Sequence, residues 1–83
     1  MGKLQETIVK RVKILCAERN LSIYALANRA GIPSTTMFHL MDGTTKDTRL
    51  STIVRICDGL EISLVDFFDT PEFEELLNVL AGE

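Results

Sequence analysis

The stretch Ile23–Asp42, IYALANRAGIPSTTMFHLMD, constrains the fold of this 83-residue chain more than any other. Ser22 before it is a good helix N-cap, Gly31 suits the position just past a helix C-terminus, and Pro33 cannot continue a helix. The stretch therefore reads as one short helix ended at Gly31 and a second, from about Ser34 to Met41, closed by Asp42-Gly43. Two short helices joined by a tight turn must cross steeply and approach closely. The residues meet that demand. Ala27 is small where the helices meet, and Gly31 takes a turn conformation that a β-carbon opposes. Leu26, Ala30, Ile32, Met37 and Leu40 supply a shared apolar face.

The remaining chain carries the same helical punctuation and weak strand signals. From Leu4 to about Arg19, Leu4, Ile8, Val12 and Leu15 form one apolar stripe, widened by Val9 and Cys16, with Lys10, Arg11 and Lys13 largely off it. After the polar loop Thr44–Thr48, the segment from Leu50 to Leu60 has helical period, with Gly59 near its end. Ser63-Leu64-Val65-Asp66 looks like a capping box opening a one- to two-turn helix through Phe68. Thr70-Pro71 then predicts a cap and a first-turn proline ahead of an acidic helix over Glu72–Ala81, with Phe73, Leu76, Leu77 and Leu80 on one face. The expected fold is all-α, in two parts: a helical unit over 1–69 and an acidic amphipathic helix over 70–83.

Several function classes fall away on composition. At 46% hydrophobic and 25% charged, the chain is too apolar for disorder. It has no apolar run near the ~18 residues of a membrane span and no secretory core at its start, which predicts a cytoplasmic protein without a membrane partner. Cys16 and Cys57 read as buried reduced thiols. One histidine, unpaired cysteines and no phosphate-cradling glycine loop leave no nucleophile–base set, so an enzyme is not expected, and neither a cofactor nor a metal is implied. The net charge of −3 argues at first against a nucleic-acid partner, but it is an average. Positions 1–55 hold all nine bases against four acids, a surplus of five, whereas positions 56–83 hold eight acids and no base.

The segments Leu26-Ala27-x-x-Ala30-Gly31-Ile32, Ser34-Thr35-Thr36-Met37, Asp42-Gly43-Thr44-Thr45-Lys46, and Leu50-x-x-Ile53 through Ile62-Ser63-Leu64-x-Asp66-Phe67-Phe68 together resemble the phage-repressor helix-turn-helix regulators, the Cro-type or XRE-type family. The likeness covers roughly Lys10 to Phe68. It implies a lambda-repressor-like bundle of five helices, here followed by the short C-terminal helix, with the third helix in the DNA major groove. The family's base-reading positions fall on Ser34, Thr35, Phe38 and His39. Its phosphate-contacting positions fall on Ser22 and Tyr24 and on Gly43, Thr44, Thr45, Lys46 and Arg49. Two departures stand out: Cys16 and Met41 occupy places where many members pair an Arg with a Glu, and Ile23 sits where a polar phosphate ligand is common.

Helical geometry agrees with the carry-over. If Met37 and Leu40 face inward, Ser34, Thr35, Phe38 and His39 share the opposite face. Hydroxyls and an imidazole there suit base edges, and Phe38 suits a thymine methyl. That face lacks Arg, Asn and Gln, the side chains of bidentate base contacts, so preference would lean on apolar contact, water and DNA shape. Phe38 reads equally as a core or interface aromatic, and His39 on its own reads as a surface histidine. For Lys10, Arg11, Lys13 and Arg19 a solvated face is expected of at least some. The Phe73/Leu76/Leu77/Leu80 stripe is the candidate dimer or partner surface, although packing on its own bundle is the commoner fate of such a stripe.

The expectation is a sequence-specific DNA-binding transcription regulator, a repressor, acting as a homodimer on a double-stranded operator with no evident small-molecule effector. The rival expectation is a protein-interaction module on the same fold, antitoxin-like or an antirepressor partner, with weak or no DNA binding.

Overall fold

In the computed structural model, which describes residues 2–81, the chain folds into six helices. They are α1 (Lys3–Glu18), α2 (Ile23–Ala30), α3 (Ser34–Asp42), α4 (Leu50–Leu60), α5 (Leu64–Phe68) and α6 (Pro71–Ala81), and no strand occurs among the described residues. Ser22 Oγ caps α2 by accepting from the Ala25 N–H at 3.0 Å, and Ser63 Oγ caps α5 by accepting from the Asp66 N–H at 3.0 Å. Thr70 Oγ1 accepts from the Phe73 N–H at the start of α6.

α1, α2 and α4 end by a common device. Asn20, Gly31 and Glu61 follow them in the left-handed region, at φ 55°, 68° and 59°. The next residue then sends its N–H back to the helix: Leu21 to Cys16 O, Ile32 to Ala27 O and Ile62 to Cys57 O. Each of these three apolar residues packs on or in the core. One device thus satisfies helix carbonyls and seats a side chain.

Leu26, Met37, Leu40, Ile56, Phe67 and Val12 are completely buried. Each large apolar side chain contributes about 1.5–3 kcal/mol by leaving water. Leu26 on α2 with Met37 and Leu40 on α3 fixes the helix-turn-helix crossing, and Ala27 is buried beside them. α4 lies against α2 so closely that a β-carbon on Gly59 would stand 3.0 Å from Ala30 N and 3.2 Å from Ala30 Cα. Gly59 therefore serves this approach, and not merely the end of α4.

Two sequence expectations need correction. Leu4 is exposed, and Gln5 takes the buried position instead. The buried residues of α1 are Gln5, Ile8, Val9, Val12, Leu15 and Cys16, whereas Leu4, four residues before Ile8, stands at the edge of that stripe in the first turn of the helix and is left exposed. The C-terminal stripe is the second. Phe73 is half-buried against Phe67 and Phe68, with ring centroids 6.1 and 4.9 Å away, and Leu76 is buried. Both pack on the chain's own bundle, because α6 lies along α1, and the buried Leu76 is thereby withdrawn from the surface. Leu77 remains exposed, while the Leu80 side chain lies outside the described residues, as do Met1, Gly82 and Glu83.

Candidate nucleic-acid interface

α3 presents two chemically distinct sides. Met37 and Leu40 point into the core, and Ser34, Thr35, Phe38 and His39 are all exposed on the other side. The four expected base-reading residues thus share one accessible face. Phe38 does not stand alone there. Its ring meets the exposed Tyr24 ring of α2 edge to face, with centroids 4.7 Å apart and planes at 78°. This pair ties the start of α2 to the middle of α3 across the outer surface.

Of the expected phosphate contacts, Ser22, Tyr24, Thr44, Lys46 and Arg49 are exposed, whereas Gly43 and Thr45 are half-buried. Ser22 Oγ is used as an acceptor by the cap, which leaves its O–H to donate. The loop is held from within. Gly43 is left-handed at φ 92°, the Thr44 N–H donates to Asp42 Oδ1 at 2.8 Å, and the Thr45 N–H donates to His39 O at 2.9 Å. The amides of Thr44 and Thr45 are therefore engaged inside the protein, and a phosphate here would meet the side chains of Thr44, Lys46 and Arg49. The hydrogen bonds from Thr44 hold the Asp42 carboxyl below its ordinary value, with a smaller contribution from His39.

Gln5 fastens this loop to α1, a role its sequence position only hinted at. The Gln5 Nε2 group donates to Leu40 O at 3.4 Å, and its Oε1 accepts from the Thr48 N–H at 3.1 Å and the Thr48 hydroxyl at 2.7 Å. A polar residue in phase with Ile8 and Val12 was the available signal. Buried amides are retained where both their donors and acceptors find partners.

Arg11 of α1 and Arg19 just after it are engaged by helix carbonyls, although Arg19 is exposed and Arg11 half-buried. Arg11 Nε donates to Phe67 O at 2.8 Å and its Nη2 to Asp66 O at 2.7 Å, capping the C-terminal end of α5. Arg19 Nε donates to Leu60 O and its Nη1 to Leu15 O, both at 3.3 Å. Cations at carbonyl-rich helix ends are favoured by the helix dipole. Lys10 and Lys13 are exposed and line a surface cavity of about 200 Å³ with Glu6, Val9, Met41, Asp42 and Gly43, next to the end of α3. Thr7, Lys10, Arg11 and Ile14 line another, of about 210 Å³, with Thr70, Glu72 and Phe73, so α1 touches the start of the acidic α6 as well as the end of α3.

Where an Arg–Glu pair is common, Cys16 is buried and Met41 packs against the same apolar cluster. Burial pushes both thiols, Cys16 and Cys57, above their ordinary value, opposed in part by Arg19 and Arg11 respectively. Among the described residues no three His, Cys, Asp or Glu side chains gather closely enough to hold a metal ion, and no helix is long and apolar enough to cross a membrane.

Residues 11–72 match the family model of the Cro/C1-type HTH DNA-binding domain. The uncharacterized HTH-type transcriptional regulator YozG of Bacillus subtilis (strain 168) is 32% identical over 62 residues, which are 75% of this chain and 74% of that protein. No solved structure matches the chain.

Proposed function

Because the chain belongs to the Cro/C1-type helix-turn-helix DNA-binding family, we propose that it is a cytoplasmic transcription regulator, a repressor, whose α3 reads an operator through the major groove. The observation that carries this reading is the two-sidedness of α3. Its inner face is completely buried, so Ser34, Thr35, Phe38 and His39 are held outward on a rigid support. Ser22 and Tyr24 flank them on one side, and Thr44, Lys46 and Arg49 on the other.

The reading helix itself carries no base. Attraction to phosphate falls to the exposed Lys46 and Arg49, supported by Lys13 and Arg29. The acidic α6 packs along α1, and Glu72 lines a cavity with Lys10 and Arg11. Residues 1–69 form the DNA-reading part in this proposal, and 70–83 an acidic helix with Leu77 free for a partner. Two copies bound as a homodimer would set their α3 helices one DNA turn, about 34 Å, apart on a near-palindromic site.

A gel-shift titration over a salt series on DNA selected by the protein tests the docking face. The logarithm of the binding constant falls linearly with that of salt, with a slope near −0.9 per neutralised phosphate. Lys46→Ala and Arg49→Ala each reduce that slope by about 1. If neither changes affinity nor slope, this face does not dock. If no DNA is enriched at low salt, the protein-interaction module takes the place of this reading.

A further inference from the structure

The Tyr24–Phe38 pair is the most unusual feature of the outer face. An aromatic side chain gains by leaving water, yet Phe38 is 39% exposed and Tyr24 61% exposed. The core does not need Phe38, since Met37 and Leu40 on either side of its turn are already completely buried. Nor is the ring loose. The 78° edge-to-face contact with Tyr24 fixes its orientation on the exposed face it shares with Ser34, Thr35 and His39.

Resting on the DNA-reading function proposed above, we infer that Phe38, held edge-on by Tyr24, recognises a pyrimidine 5-methyl group in the major groove. In that groove the four base pairs offer donors and acceptors, and the one apolar feature is the C5-methyl of thymine. A ring without polar atoms discriminates only by finding or missing such a methyl. Ser34, Thr35 and His39 around it are short or single-point hydrogen-bonding groups, so no bidentate contact overrides its choice. The ligand class follows as a duplex with thymine, or the isosteric 5-methylcytosine, beneath the centre of α3. Phe38 is the reading residue and Tyr24 its positioning residue. The Tyr24 hydroxyl, near the start of α2, remains available to the DNA backbone.

The test begins with in vitro selection of duplexes by the full chain. Each thymine of the selected site is then replaced singly by deoxyuridine, which removes only the methyl group, and affinities are read by fluorescence anisotropy. One position beneath α3 should weaken binding roughly three- to fivefold on loss of its methyl, the factor expected for one buried carbon. At that position 5-methylcytosine paired with guanine should bind better than cytosine. In Phe38→Ala, with folding checked by its melting curve, the thymine-to-uracil ratio should fall to about one. Tyr24→Ala should lower the ratio, whereas Tyr24→Phe should keep it while reducing affinity for every sequence alike. A selected site with no methyl-sensitive position in the wild-type protein overturns the inference, as does a ratio unchanged by Phe38→Ala. Selection of no DNA at all overturns instead the underlying function, and the inference with it.

Discussion

Arg11 of α1 and Arg19 just after it direct their guanidinium groups into the carbonyls that end α5 and α4, whereas Lys46 and Arg49 stand exposed in the loop between α3 and α4. All four contribute equally to the surplus of five positive charges counted over residues 1–55. Their work differs. The first two complete helix ends, and the second two stand exposed next to α3, the proposed reading helix. A regional charge count therefore overstates the charge offered to DNA, and the structural and docking cations separate only when their partners are known.

Gln5 joins the two regions, and its removal should have the largest effect. Gln5→Ala strands Leu40 O and both donors of Thr48, and buried polar groups left unpaired cost about 1–3 kcal/mol each. Because Thr48 is only half-buried, water recovers part of that loss, and a net cost of about 2–3 kcal/mol in urea unfolding is expected. DNA affinity should fall as well, at temperatures where the variant is folded, because the loop bearing Lys46 loses its anchor. Lost stability with unchanged affinity would show that the loop's position does not depend on α1.

Arg11→Ala and Lys46→Ala test the contrast directly. Arg11 makes two short charge-assisted bonds from a half-buried site, so its loss should cost about 1–2 kcal/mol of stability and leave the salt slope of DNA binding intact. Lys46→Ala should do the reverse, with stability within about 0.5 kcal/mol of wild type. If Arg11→Ala alters the salt slope, the division between the two groups of cations fails.

The helix-turn-helix was legible because steric necessity leaves few solutions. Ser22, Ala27, Gly31 and Pro33 each answer a local demand, and the structure uses them at those places. The outward face of α3 followed from the inward position of Met37 and Leu40. What could not be read were interactions between residues distant in sequence. Gln5 meets Thr48 across 43 positions and Arg11 meets Phe67 across 56, and no local pattern announces either. Leu4 was misplaced for a related reason: periodicity shows that a stripe exists, while tertiary contacts decide how far along the helix it stays covered. Gly59 showed only as a glycine near the end of α4, because its true neighbour, Ala30, lies on another helix.

The two regions should also titrate at opposite ends of the pH scale. Burial raises the folded-state values of Cys16 and Cys57 above the ordinary 9.0, so each thiol favours folding while protonated. That contribution is complete below pH 9.0 and is lost as pH climbs through the raised folded values. Urea midpoints taken at rising alkaline pH should fall for wild type and fall less steeply for Cys16→Ala. An equally steep decline would place the alkaline sensitivity outside the core.

The smallest effect belongs to Asp42, and its sign is opposite. Its carboxyl is lowered below the ordinary 3.8 by the hydrogen bonds from Thr44, so its contribution is present above pH 3.8 and lost as pH falls through the folded value. Asn at this position keeps an Oδ1 acceptor for the Thr44 N–H and removes only the charge. Asp42→Asn should therefore be slightly less stable than wild type at neutral pH and show a flatter decline in acid. It should also bind DNA slightly more tightly at low salt, because an anion beside the phosphate-facing loop has gone, and this gain should vanish as salt screens it. Asp42→Ala removes the same charge but frees the Thr44 amide and lets the turn open. If the loop's shape sets the place of Lys46, Asp42→Ala should bind more weakly than Asp42→Asn despite equal charge. Equal binding by the two variants would mean that Lys46 acts through charge alone, and that the ordered turn around it serves the fold and not the DNA.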